Sequence, residues 1–201
     1  MSQIISPFYD SNSTLYEIAL DECGRGPMFG AVYAAAVILP RTQDPEIFDF
    51  SKMRDSKKIH SKKKMRQLAD YIKERAVAYS IQSVNQETID QINILKADML
   101  AMHRCIDEIL TKIPAKDVDL ILVDGNYFTP YCFFDQEQNK GDGGLMYLPH
   151  QTVEQGDAKY AGIAAASILA KDARDQYIAD LCEEYPELKT RYSLDKNMGY
   201  G

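Results

Sequence analysis

The stretch Leu15-Tyr16-Glu17-Ile18-Ala19-Leu20-Asp21-Glu22-Cys23-Gly24-Arg25-Gly26-Pro27-Met28-Phe29-Gly30 decides how this chain is read. Its first part is apolar enough for a half-buried strand from Leu15 to Asp21, and its second is a turn rich in glycine and proline. Consecutive strand residues face opposite sides of a sheet. Asp21 and Glu22 can therefore serve one site only if the strand stops there, and Gly24-Arg25-Gly26-Pro27 predicts that break. Backbone N–H groups and a guanidinium would then lie beside two carboxylates. That arrangement suits a divalent cation bridging protein to a phosphodiester. A bare Asp-Glu pair is more often a solvated strand end; the attached turn moves the reading towards chemistry.

Outward from this stretch, Ala31 to Leu39 reads as a second strand. Ser61 caps a helix expected to reach about Tyr79, with Met65, Leu68, Ala69, Ile72 and Ala76 on one face. Residues 77–84 alternate as a strand, Asn85 or Thr88 caps a further helical stretch, and 93–113 is strongly periodic. Val118 to Val123 is a short apolar strand ending at Asp124-Gly125, and 148–153 is another candidate strand. Between them, 125–150 reads as a long mixed loop with a polar, glycine-rich centre, a length usually associated with function or mobility. An alanine-rich helix is expected from Ala161 to about Glu184, and the tail from Tyr185 lacks apolar periodicity. Strands that come first as a hairpin-like set and then alternate with helices imply an α/β fold with a mixed sheet flanked by helices.

At 201 residues, with 45% hydrophobic and 26% charged residues, the chain is expected to form one domain with a sizeable core. Residues 1–14 read as a polar amino-terminal extension with no secretory signal, and Ala31 to Leu39 is too short an apolar run to cross a bilayer. Cys23, Cys105, Cys132 and Cys182 show no metal-ligand or redox spacing, so reduced thiols in a cytoplasmic protein are expected, with a monomer as the default. No P-loop or dinucleotide fingerprint occurs: Gly24-x-Gly26-x-x-Phe29 lacks the third glycine. The net charge of −7 alone argues against a nucleic-acid enzyme, but its distribution does not. Ten Lys or Arg between Lys52 and Arg75 face only Asp55, Asp70 and Glu74, a balance near +7 that leaves about −14 elsewhere. A basic face on an acidic body fits a polyanionic partner.

Two further aspartates stand at element boundaries. Asp124 closes an apolar strand, where sites in α/β folds collect, and Asp157 precedes the alanine-rich helix. Either alone is more often a turn or cap residue. With Asp21 and Glu22 they make four carboxylates that would repel one another if gathered without cations. Two Mg²⁺ or Mn²⁺ ions would relieve that repulsion, one activating water and the other stabilising a leaving oxygen. Hard oxygen donors with no competing His or Cys cluster favour such a metal.

The chain resembles the type 2 ribonuclease H family in its bacterial ribonuclease HII form. The resemblance rests on Asp21-Glu22-Cys23-Gly24-Arg25-Gly26-Pro27, Asp55-Ser56-Lys57-Lys58, Ile92-Asn93-Ile94-Leu95 and Val123-Asp124-Gly125-Asn126. It continues through Gly156-Asp157, the stretch Ala165 to Lys171 followed by Arg174-Asp175, and a terminal Gly199-Tyr200. It implies a ribonuclease H-type fold with a five-stranded mixed sheet over residues 15–201, and metal-binding, catalytic carboxylates at Asp21, Glu22, Asp124 and Asp157. It implies hydrolysis of RNA in RNA/DNA duplexes and of single ribonucleotides embedded in DNA, in replication or repair. Cleavage would fall 5′ to the ribonucleotide and leave a 3′-hydroxyl and a 5′-phosphate. By the same resemblance Gly24, Arg25 and Gly26 would bond the ribose 2′-hydroxyl and its phosphate, and Tyr200 would stack on the next sugar, where only deoxyribose fits. Lys57, Lys58, Ser167 and Lys196 would hold phosphates, Ser167 being equally readable as a helix-packing residue. Asp175 reads as a structural partner of a nearby arginine or backbone amide.

Departures from the family pattern are Cys23, read as a buried thiol; Gln155 and Met198 in place of lysines; and Asp172 at a usually apolar position. The stretch 129–148 reads as an insertion, and the family's carboxy-terminal helical segment is not in the sequence. Two rivals stand beside this reading: a DNA-directed nuclease on the same fold, and a hybrid-binding protein without useful catalysis.

Overall fold

The structure, a computed structural model, describes residues 5–53, 59, 61–135 and 144–199. Lys57, Lys58 and Tyr200 lie outside the described residues. Strands β1 (Tyr16–Cys23), β2 (Val32–Ile38) and β3 (Ala78–Val84) form an antiparallel meander, with helix α1 (Lys62–Arg75) between the last two. Helices α2 (Gln86–Ile92) and α3 (Ile94–Leu110) lead into β4 (Val118–Asp124), which runs parallel to β1. A hairpin of β5 (Cys132–Asp135) and β6 (Gly144–Tyr147) precedes β7 (His150–Val153), parallel to β4. The chain then enters α4 (Ala161–Glu184), α5 (Glu187–Tyr192) and α6 (Leu194–Asn197). The mixed five-stranded sheet has the order β3-β2-β1-β4-β7, as the α/β reading expects.

Side-chain alternation along the central strands divides the core into two layers. Ile18 and Leu20 of β1, with Ile121 and Val123 of β4, pack on the face covered by α3. Ala19 and Leu122 pack on the opposite face, covered by α1 and α4. Small residues there let α4 approach closely: a Cβ on Gly162 would lie 2.7 Å from that of Ala19. No side chain caps α4, but Ser6 lies beside its start and accepts the Ala161 N–H at 2.9 Å. Residues 5–14 thus run along the fold, and Glu17 accepts the Tyr9 and Asp10 N–H groups at 3.0 and 2.9 Å.

Several expectations are corrected. Helix α1 ends at Arg75 rather than near Tyr79, because residues from Ala78 onward pair with β2; sheet pairing overrides local helix preference. Helix α3 ends at Leu110, short of 113. The 125–150 segment contains the β5–β6 hairpin, which attaches through Tyr131, whose hydroxyl donates to Asp107 at 2.6 Å. The tail contains two short helices, and Leu194 and Met198 bury themselves against Ile178 and Cys182 of α4. Cys23 is half-buried rather than buried, and all four cysteines are free thiols.

The basic segment is only partly an open face. Arg66 pairs with Asp172 at 2.9 Å and Lys73 approaches it at 3.8 Å, which explains an aspartate at that helix position. Lys62 donates to the Asp195 carbonyl at 3.2 Å, and Arg75 to the carbonyls of Glu46 and Ile47. Lys63 and Lys64 remain exposed.

The Ala19–Gly162 contact gives a direct test of this packing. Gly162→Ala should destabilise the protein by about 1–3 kcal/mol through overpacking. Most of that cost should vanish in an Ala19→Gly background, as read from urea unfolding midpoints.

Candidate active site

The site is set by the parallel pairing of β1 and β4, which brings their carboxyl ends to one edge of the sheet. The register pairs Leu20 with Val123, so the next residues, Asp21 and Asp124, stand side by side. Alternation places both on the α4 face, following Ala19 and Leu122. Asp21 is 5% exposed and accepts a hydrogen bond from Ser167 of α4. Its own neighbour's N–H, from Glu22, lies 2.7 Å from Oδ1. Ser167, read equally as a phosphate contact or a helix-packing residue, is buried and engaged with Asp21.

Asp124 is held from the other side. Its Oδ1 accepts the Gly156 N–H at 2.6 Å, and a Cβ at Gly156 would stand 3.0 Å from that oxygen and 2.4 Å from Ile163 Cδ1. Glycine is therefore required for the approach of this 3₁₀ turn, Gly156–Ala158, to the end of β4. Gln155 enters the turn in the left-handed conformation at φ 54°, and Asp157 is buried within it at 3% exposure. Asp21 and Asp124 thus meet from β1 and β4, and Asp157 follows the glycine whose N–H Asp124 accepts.

Glu22 reaches the same edge by a different route, and here the expected strand break is corrected. β1 does not stop at Asp21; its ladder with β2 continues to the Cys23–Tyr33 pair. What ends is the ladder with β4, whose last pair is Leu20–Val123. The sheet opens at that point, so Asp21 and Glu22 flank the opening while keeping opposite faces. Glu22 lies on the α3 side, where Arg25 Nη1 approaches Oε1 at 3.3 Å. Gly24, at φ 109°, makes the turn that returns Arg25 over the strand end.

Electrostatics follow from this crowding. Burial chiefly raises the Asp21 pKa well above the ordinary aspartate value, and the charges of Glu22 and Asp124 raise it further; the Ser167 bond opposes them. A hard cation would relieve the same repulsion, and the donor set is wholly carboxylate oxygen. Among the described residues, no group of three or more His, Cys, Asp or Glu side chains is arranged so that it could hold a metal ion. Asp124 and Asp21 instead hold the Gly156 amide and the Ser167 hydroxyl.

Asp98 of α3, which the sequence reading did not single out, stands beside Arg25 and feels the charge of Glu22. It is fully buried, and among the described residues both carboxyl oxygens lack a hydrogen-bond partner and its one ion pair is with Arg25 Nε at 3.5 Å. Burial, and then the charge of Glu22, push its pKa up to about 8, with Arg25 opposing. Its signal was present: Ile94, Asp98, Ala101 and Cys105 share a helical stripe, so a charge there must sit in the core. Of the other expected residues, Arg25 and Gly26 are exposed beside the opening, and Lys196 is exposed on α6. Asp175 takes Lys171 as its partner, at 3.5 Å, rather than an arginine or a backbone amide.

Comparison with known proteins gives a consistent picture. A family model described as Ribonuclease HII matches residues 18–201. A ribonuclease HII from Chlorobium luteolum is 40% identical over 190 residues, covering 94% of this chain and 80% of that one. One from Parabacteroides distasonis is 44% identical over 184 residues, covering 92% and 78%. Among solved structures, ribonuclease H2 from Pyrococcus horikoshii OT3 superposes with a TM-score of 0.65 at 21% identity, over 87% of this chain and 79% of that one. Bst-RNase HIII in complex with Mn²⁺ gives 0.64 at 17% identity, over 85% of this chain and 55% of that one. At those identities the structural matches establish the fold.

The buried Asp98 carries a pH signature. Its folded pKa lies above its unfolded one, so the neutral acid is compatible with the fold at low pH. Stability is then lost as the pH rises from about 4 through about 8. In the presence of a chelator, Asp98→Asn should be more stable than the native protein at pH 8 by about 1–3 kcal/mol, because a neutral amide avoids the larger cost of a buried, poorly compensated carboxylate charge. The difference should shrink as the pH falls towards 4, read from urea midpoints across the range.

Proposed function

The chain belongs to the ribonuclease HII family and is a ribonuclease H, an endonuclease of RNA–DNA hybrids; from that premise we propose that it cuts 5′ to ribonucleotides, including single ones embedded in DNA, with two divalent cations. The observation that carries the reading is the pair Asp21 and Asp124, level at the edge of parallel strands, with Glu22 and the Gly24–Gly26 turn at the same opening. Asp21, Glu22, Asp124 and Asp157 would hold the cations. When bound, those ions supply Lewis acidity towards the attacking water and the departing oxygen. Support for a divalent metal also comes from the fold neighbour whose structure contains Mn²⁺.

The chain's own groups perform the rest. Ser167 and the Gly156 amide fix the Asp21 and Asp124 carboxylates, so they are oriented before substrate arrives. The Gly24-Arg25-Gly26 turn, exposed at Arg25 and Gly26 and buried at Gly24, would offer backbone N–H groups to the ribose 2′-hydroxyl, the atom that separates RNA from DNA. Arg25 offers its guanidinium to the adjoining phosphate. Tyr200 would stack against the following deoxyribose, and Lys57, Lys58 and Lys196 would bind phosphates further along. A water oxygen forms a bond to phosphorus in line as the P–O3′ bond breaks. The departing O3′ takes up a proton, leaving a 3′-hydroxyl and a 5′-phosphate.

A duplex with one embedded ribonucleotide should be cut once in Mg²⁺, and EDTA should abolish the cut until Mg²⁺ or Mn²⁺ is restored. Asp124→Asn should lower the rate by about a thousandfold or more, the scale on which a charge-stabilising group acts. Binding to the duplex should survive the substitution, read by gel shift. Equal cleavage of an all-DNA duplex would favour a DNA-directed nuclease, and binding with no cleavage would favour a hybrid-binding protein.

A further inference from the structure

Arg174 of α4 is fully buried, and the described site gives it no chemical task. Its guanidinium instead joins two segments that are remote in sequence. Nη2 donates to the Phe29 carbonyl and Nη1 to the Met198 carbonyl, both at 2.9 Å, while Nε lies 3.4 Å from the Ala31 carbonyl. The first and last of these acceptors follow the Gly24–Gly26 turn; the other immediately precedes Gly199-Tyr200. Gly24 rests directly on the same side chain, since a Cβ there would meet Arg174 Nε at 2.7 Å and Cδ at 2.9 Å. The two segments also touch each other: Met28 N–H donates to the Gly199 carbonyl at 3.3 Å, and a Cβ on Gly199 would stand 3.1 Å from that of Phe29.

A buried guanidinium must have its donors matched to be tolerated, and its planar fork can hold acceptors in two directions at once. Lysine keeps the charge but offers no such fork. We infer that Arg174 is a positioning residue that locks the carboxy-terminal tail to the Gly24–Gly26 turn, so that the turn and the tail read the two sides of a ribonucleotide–deoxyribonucleotide junction as one rigid unit. The inference rests on the proposed function, in which the turn reads the ribose and Tyr200 the following sugar. The small core of Leu194 and Met198 against Ile178 and Cys182 supports the same docking from behind.

The test compares two substrates on the full chain: a DNA duplex with one ribonucleotide, and a uniform RNA/DNA hybrid, in which no deoxyribose follows the cut. Arg174→Lys should raise KM on the single-ribonucleotide duplex and reduce the preference for it over the hybrid about tenfold, with kcat on the hybrid little changed. In a Tyr200→Ala background the same substitution should have no further effect on that preference. Leu194→Ala, which loosens the tail without touching Arg174, should reproduce the selective loss and serves if Arg174→Lys does not fold. Equal losses on both substrates, tracking a fall in Tm, would overturn the inference, as would additive effects of Arg174→Lys and Tyr200→Ala. A native protein with no preference between the substrates would instead overturn the junction reading on which it rests.

Discussion

Like charge gathered at the end of two parallel strands is the constraint around which this molecule is organised. The β1–β4 register leaves Asp21 and Asp124 no alternative to adjacency, and burial removes the water that would screen them. Neighbouring elements act on the consequence. Ser167 and the Gly156 amide each give one carboxylate a donor, and Arg25 lies over Glu22. These contacts lessen the repulsion without removing it, since Asp21 is still held towards its protonated form. A site of this kind is poised to exchange a proton for a hard cation.

The sheet's two faces allow the charges to be distributed as well as concentrated. Asp21 and Asp124 share the α4 layer, while Glu22 looks into the α3 layer, where Asp98 waits behind Arg25. The opening between β1 and β4 is where the two layers communicate. Arg25 stands between an active-edge carboxylate and a buried one, which ties the exposed turn to the core helix.

Much of the fold was legible because its periodicities are strong: Met65, Leu68, Ala69 and Ile72 all face inward, and β2 is almost continuously buried. Boundaries failed where pairing decided them, as at Arg75, where β2 captured the following residues as a strand. The β5–β6 hairpin escaped notice because Phe134, Leu145 and Tyr147 are exposed, so hydrophobicity there does not report burial. The tail's Leu194 and Met198 find their partners on α4, which no local pattern reveals. Asp124 and Asp157 were readable as element-boundary residues beside glycines; Asp98 left only a helical-stripe signal, and the role of Arg174 lies in contacts across the fold. Charge counting also overstated the basic face, since Arg66 and Arg75 are consumed by internal partners.

On the proposed function, Asp21, Glu22, Asp124 and Asp157 would converge on a pair of cations when substrate is bound. Anomalous diffraction from crystals grown with Mn²⁺ and a non-cleavable duplex carrying one ribonucleotide tests it most directly. The account predicts two anomalous peaks at the opening between β1 and β4, ligated by those four side chains and by the phosphate at the cleavage position. Peaks elsewhere, or substrate seated at the Gly24–Gly26 turn with no metal at that edge, would contradict it.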